Sequence, residues 1–171
     1  GIEDIGNPAM EAKDEGSTRY PNIEYDSDVV LQFYSKSIDA KAGEGAGEKI
    51  PPDKKKEYTE LNKIKNWRKV LSNFYVPESP LIIDGKPWKT VEHYYHGQKF
   101  IKNNPDFTNI FSMDSMSEIS KSAEMAKAAG GKTGKYKKEQ IRDKSIQIDP
   151  DFFESKRNET AMYKAQLEKY K

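Results

Sequence analysis

Short β-prone apolar runs lying between longer stretches of helical spacing predict an α+β fold, predominantly α-helical, with a few short strands. Three observations carry that expectation. Leu81-Ile82-Ile83 and Lys86-Pro87-Trp88 flank Asp84-Gly85, the pattern of a small hairpin. Thr90 is a good N-cap for a helix running through Glu92, Tyr95, His96 and Lys99. Two later stretches, 115–129 and 149–171, repeat the helical period. The hydrophobic fraction of 35% is low, yet ten tyrosines, seven phenylalanines and two tryptophans supply enough large side chains for a core.

Taken in order, residues 1–28 are polar and aperiodic and predict a flexible arm, part of it an expression remnant. The remaining residues, 29–171, suit a compact single domain. Val29-Val30-Leu31-Gln32-Phe33-Tyr34 reads as a buried strand. Gly43-Glu44-Gly45-Ala46-Gly47-Glu48 is a Gly-rich loop, either a plain turn or a row of N–H groups for phosphate. Pro51-Pro52 and the lysines after them read as an exposed linker. From Tyr58 to Leu71 the spacing predicts one helix with Leu61, Ile64 and Leu71 facing the core and Trp67 or Arg68 on the same stripe.

Beyond the central helix, Asn103-Asn104-Pro105 is a stop and Asp106 to Phe111 a short helix or turn. Ser115 to Ala129 predicts a helix with Ile119, Ala123 and Ala126 inward, ended by Gly130-Gly131. Lys132 to Lys144 is basic around Tyr136, which is a solvated face in the plain reading and a phosphate contact in the sharper one. Asp149-Pro150-Asp151 opens a last helix that buries Phe152 or Phe153, Ala161 or Met162, Ala165 and Tyr170.

Composition narrows the function classes. Twenty-nine basic residues against 28 acidic ones leave a net charge of +1, so the molecule as a whole is not drawn to nucleic acid or membrane. The absence of cysteine excludes disulfides and thiolate metal sites. No apolar run reaches membrane-spanning length and no signal peptide is visible, so a soluble intracellular protein is expected, cytoplasmic or nuclear. His93 and His96 are three apart with Glu92 adjacent, whereas the zinc-protease pattern needs histidines four apart with Glu between. Neither a metal nor another cofactor is expected. What the central helix does offer is a carboxylate, Glu92, in its first turn and an amine, Lys99, seven residues on. The plain alternative is an exposed ion pair.

The runs Leu71-Ser72-Asn73-Phe74-Tyr75, Ile83-Asp84-Gly85-Lys86-Pro87-Trp88-Lys89-Thr90-Val91-Glu92-His93-Tyr94-Tyr95 and Gln98-Lys99-Phe100 closely resemble, in residues and spacing, the signature of the NADAR (YbiA-like) family. Phe33-Tyr34-Ser35-Lys36-Ser37 with the Gly-rich loop is similar to the form of the family in which that element comes first. The resemblance runs from Leu31 to Lys171 and implies a compact, mostly helical fold that hydrolyses ribosyl N-glycosidic bonds. The implied substrate is ADP-ribosylated guanine, in nucleic acid or as nucleotide. A second possibility within the family is an early intermediate of riboflavin biosynthesis.

By position, the resemblance implies Glu92 as the catalytic carboxylate, Lys99 as the first candidate for the catalytic amine and Lys36 as the second. Ser72, Asn73 and Phe74 match a pocket-lining loop. Ser35, Gly45, Gly47 and Glu48 match a phosphate- and ribose-facing segment. His93 and Tyr95 count as substrate-facing through their place in the motif, and Phe74, Trp67 or Trp88 as the aromatic that stacks on a base. Two departures matter. Glu44 stands where a lysine is expected, and the chain stops before a further helix and short strand that relatives carry. Both favour a reading of another class, a non-catalytic module that binds ADP-ribose or a nucleotide. A structural domain with a solvated Glu92–Lys99 face is the third.

Overall fold

The computed structural model describes residues 27–34 and 36–171; Ser35 and nearly all of the arm expected over 1–28 lie outside the described residues. Contacts gather into two compact units, whose described parts run to Tyr75 and from Val76 onward. Helices predominate, with two small antiparallel sheets, an α+β composition.

The first unit holds a 3-10 helix at Pro52–Tyr58 and two short α-helices, α1 (Thr59–Asn62) and α2 (Trp67–Leu71). The strand expected over 29–34 is absent. Val30 and Lys49 exchange a single pair of backbone hydrogen bonds, 2.7 and 2.8 Å, with no further rungs, and Phe33 and Tyr34 are exposed. Pro52 opens the 3-10 helix where a linker was expected, its missing N–H being harmless in a first turn. The single helix expected over 58–71 is broken at Asn66. That residue takes a left-handed conformation (φ 56°), and its N–H donates to Asp39 Oδ1 at 2.8 Å rather than up the helix. The break turns Ile64 outward, 51% exposed, against the expectation that it faces the core; Leu61 and Leu71 do pack against Ala42, Ile50 and Trp67.

The second unit opens with the expected hairpin, β1 (Leu81–Ile83) and β2 (Lys86–Trp88). Asp84 and Gly85 both have positive φ (52° and 75°), the two-residue turn that suits the twist of paired strands. Next comes α3 (Val91–Gln98). Thr90 caps it as expected, its hydroxyl accepting the His93 N–H at 3.3 Å. Such caps stabilise by roughly 1 kcal/mol. Helix α3 is followed by α4 (Pro105–Ile110), α5 (Glu118–Lys121), α6 (Ala123–Ala129), α7 (Asp151–Glu154) and α8 (Arg157–Lys169). All residues from Val91 to Gly97 are buried, because α6, α8, α4 and β2 pack around α3.

Two expected helices of the second half are shorter than the period suggests. The 115–129 helix is split at Ser122, whose hydroxyl accepts the Met125 N–H at 3.2 Å and so caps α6 instead of continuing α5. Ile119 and Ala126 are buried as expected. Asp149 does not begin the last helix. Its carboxylate accepts the N–H groups of Lys102 and Asn103 and pairs with Arg157 at 2.9 Å, tying the end of α3 to α8. Lys156 (φ 60°) separates α7 from α8. Phe152, Ala161, Met162 and Ala165 are buried, whereas Tyr170 and Phe153 are exposed, contrary to the expectation for Tyr170.

The basic stretch 132–144 folds as a second hairpin, β3 (Lys135–Tyr136) and β4 (Glu139–Gln140). Its turn residues, Lys137 (φ 45°) and Lys138 (φ 69°), occupy positions that glycine or asparagine usually takes; each L side chain there costs on the order of 1 kcal/mol. Arg142 leaves the solvated face expected of it. It is buried and donates to the carbonyls of Ala129 (2.6 Å) and Gly131 (2.7 Å), pinning the hairpin base to the C-terminus of α6. Among the described residues, no helix is long and apolar enough to cross a membrane.

Candidate functional site

A buried helix must find a partner for each polar group it takes out of water, and α3 buries five such side chains, Glu92, His93, Tyr94, Tyr95 and His96. Tyr94 donates to Asp84 Oδ2 at 2.7 Å, and burial with that neighbouring carboxylate raises its phenol well above the ordinary range. His93 bridges Thr90 Oγ1 and the Ile119 carbonyl, both at 2.8 Å. A carbonyl only accepts, so Nε2 bears the hydrogen and Nδ1 takes the Thr90 hydroxyl proton. Burial, opposed in part by the Ile119 hydrogen bond, lowers His93 to about 4. Both ring nitrogens thus serve the fold, tying α3 to α5 rather than facing a ligand.

Glu92 and His96 lie one turn apart, and Glu92 Oε2 accepts the His96 Nε2–H at 2.6 Å with both side chains out of solvent. Burial lowers the pKa of His96, the Glu92 hydrogen bond opposing it, so the imidazole at neutral pH donates from Nε2 and is bare at Nδ1. Among the described residues Glu92 Oε1 and His96 Nδ1 have no hydrogen-bond partner. One turn further, Lys99 is buried; its ammonium donates to the Gly130 carbonyl at 2.8 Å, with the Tyr95 and Phe153 rings 5.5 and 5.7 Å away. Glu92, His96 and Lys99 therefore share one face, as the spacing predicts, though inside the unit and not as an exposed ion pair.

Gly130, at the end of α6, closes this face. A Cβ there would lie 2.6 Å from His96 Cβ and 2.7 Å from Cγ, so only glycine lets the imidazole pack on the chain while the same residue's carbonyl holds Lys99. Gly130→Ala is expected to destabilise the chain by about 1–3 kcal/mol through overpacking, read by urea unfolding, and to shift the His96 imidazole resonances.

Comparison with protein-family models, curated proteins and solved structures gave no match.

The remaining sequence-predicted positions are distributed as follows. Tyr95 is buried edge-on to His96 and Phe152. Trp88 is core, its N–H on the Ile83 carbonyl at 3.0 Å and its ring against Tyr94. In the first unit Trp67 is core, its N–H on the Ala40 carbonyl, and Ser72 is buried with its hydroxyl accepting the Phe74 N–H. Asn73 and Phe74 follow in the same turn, half-buried, and Lys36 is exposed. Glu48 turns inward. It accepts the N–H groups of Gly43 and Gly45 at 3.0 Å each and both arms of the buried Arg68. Gly47 (φ 75°) stays in the loop beside Gln32.

The residue the sequence reading left undecided is Phe153. It is 55% exposed, stacked edge-on to Phe152, and borders the Lys99 ammonium. The helical period offered Phe152 or Phe153 as buried without choosing; the one left outside puts an exposed ring 5.7 Å from the amine.

Proposed function

We propose that this chain is a NADAR-like N-glycosidic bond hydrolase that removes ADP-ribose from ADP-ribosylated guanine. The observation that carries this reading is Glu92 Oε1, a buried carboxylate oxygen without a partner among the described residues, held in place by His96 on the motif helix. An unmet buried oxygen destabilises a fold by about 1–3 kcal/mol unless something else engages it. In the proposed reaction, positive charge grows on the anomeric carbon as the ribosyl–nitrogen bond lengthens, and Glu92 supplies the opposing charge. The oxygen of a water forms the new bond to that carbon. The electrons of the broken bond leave with the guanine nitrogen, which takes up a proton. His96 fixes the carboxylate through Nε2–H and, being neutral, does not cancel its charge. Lys99 supplies either a cation for ribose or phosphate oxygens or an amine that traps the opened sugar aldehyde. Phe153 offers a face for a base to stack on.

The test is a panel of N-glycosides, with ADP-ribosylated guanosine and a riboflavin precursor in it, followed by mass spectrometry of the released products. Release of guanosine and ADP-ribose from the first is expected; release only from the second moves the substrate, and release from none removes the enzyme reading. Sodium borohydride added during turnover is expected to leave a sugar adduct on Lys99 if the amine acts covalently, and none if it acts as a cation.

A non-catalytic ADP-ribose-binding module is favoured by one observation: Glu92 has no exposed surface, so a sugar reaches it only if the packing around α3 opens. Calorimetric binding of ADP-ribose with no turnover across the panel selects that reading.

A further inference from the structure

We infer that the β3–β4 hairpin is a docking surface for the phosphate backbone of nucleic acid, with Lys137 and Lys138 at its tip. This goes beyond the proposed hydrolysis, because it concerns a surface of the second unit that contributes no group to the chemistry. Five exposed lysines, Lys132, Lys135, Lys137, Lys138 and Lys144, crowd this stretch against two carboxylates, Glu139 and Asp143. Among the described residues none of the five forms an ion pair, while Lys54, Lys63, Lys102, Lys121, Lys164 and Lys171 each meet a carboxylate. The molecule's net charge of +1 hides this local excess.

The turn supplies a second, independent observation. Lys137 and Lys138 both have left-handed backbones, φ 45° and 69°, where Asn-Gly would relax the chain. The equivalent turn between β1 and β2 uses Asp84-Gly85. A strained pair of lysines in place of the relaxed residues is what a functional tip looks like. The hairpin base is fixed, since Arg142 is anchored on the Ala129 and Gly131 carbonyls, so the charges project from a defined ribbon. Lysine is depleted from protein–protein interfaces, which favour aromatic and apolar anchors, whereas an ammonium point charge suits phosphate. A two-stranded ribbon also has the width to enter a nucleic-acid groove.

The experiment uses the full chain and labelled oligonucleotides of about 20 nucleotides, single-stranded and duplex, followed by fluorescence anisotropy at rising salt. The double variant Lys137→Asn/Lys138→Gly removes the charge and relaxes the turn together. Its affinity at about 0.1 M salt is expected to fall roughly tenfold and the slope of log affinity on log salt to flatten by about 1.5, while its melting temperature rises by about 4 °C. Lys137→Arg/Lys138→Arg is expected to keep the affinity. The arms also tell which form of nucleic acid is preferred. The inference is overturned if the wild-type chain binds neither oligonucleotide, or if anionic vesicles or an acidic peptide bind more tightly than both. It is equally overturned if Lys121→Asn/Lys164→Asn weakens binding as much as the hairpin variant, or if the hairpin variant melts lower. None of these readings depends on turnover, so hydrolysis and docking fail separately.

Discussion

Replacing Glu92 by Gln is expected to lower turnover of ADP-ribosylated guanosine about a thousandfold while moving the melting temperature little. Gln is nearly isosteric, and its amide oxygen accepts the His96 Nε2–H as Oε2 does, at 2.6 Å in the wild type. What disappears is the negative charge at Oε1, where no described residue now makes a hydrogen bond. Charge that matters only as the anomeric carbon becomes cationic is transition-state stabilisation, so kcat carries the loss and KM stays nearly constant. Steady-state kinetics on the released guanosine reads both. Turnover within a few-fold of wild type would mean that Glu92 is not the carboxylate. A fall in melting temperature of about 10 °C with unchanged kcat would instead mark Glu92–His96 as a purely structural pair of the buried helix.

How far this site is legible in sequence depends on the distance over which each partner acts. The Thr90 cap, the Asp84-Gly85 turn and the Glu92–His96 spacing are set within four residues, and all three follow from local chemistry. Lys99 meets Gly130 and His93 meets Ile119 across 31 and 26 residues, and no periodicity reports such pairings. Burial of α3 on every side is likewise a tertiary fact. Its sequence, with two histidines, a glutamate and a lysine at its end, does not look like a core helix until the partners are counted. The helix breaks divide by residue type. Asn66 and Ser122 are ordinary turn and cap residues that the longer apolar period obscured, whereas Lys156 carries no local signal. The β3–β4 hairpin was unreadable for the same reason that makes it informative: its turn lacks the glycine or asparagine that announces one.

Arg68→Met is expected to destabilise the first unit by about 3–5 kcal/mol, because it leaves the Glu48 carboxylate buried without its cation. The pair is the hub of that unit. Glu48 gathers the Gly43, Gly45 and Gln32 N–H groups, and Arg68 satisfies the carbonyls of Ala40 and Lys41 while its guanidinium lies 4.2 Å from the Trp67 ring centroid. Burial alone would raise the Glu48 carboxyl, but the Arg68 hydrogen bond and the N–H donors outweigh it and hold the group at about 2, against an ordinary 4.5. A carboxyl depressed in the folded state binds its proton first in the unfolded one. Its stabilisation is therefore complete above about 4.5 and drains away as pH falls towards 2. Amide exchange at Gly43 and Gly45 reads the effect in the unit itself: protection is expected to fade across that window in the wild-type chain and to be weak at every pH in Arg68→Met. The double variant Arg68→Met/Glu48→Gln removes both charges, so its loss should be smaller than the sum of the single losses, the coupling giving the strength of the pair. Strict additivity would mean the two side chains stabilise the loop independently. The same arithmetic bears on ligand binding, since a loop whose N–H groups already hold an internal carboxylate can offer them to phosphate only by displacing Glu48, at the cost of that buried pair.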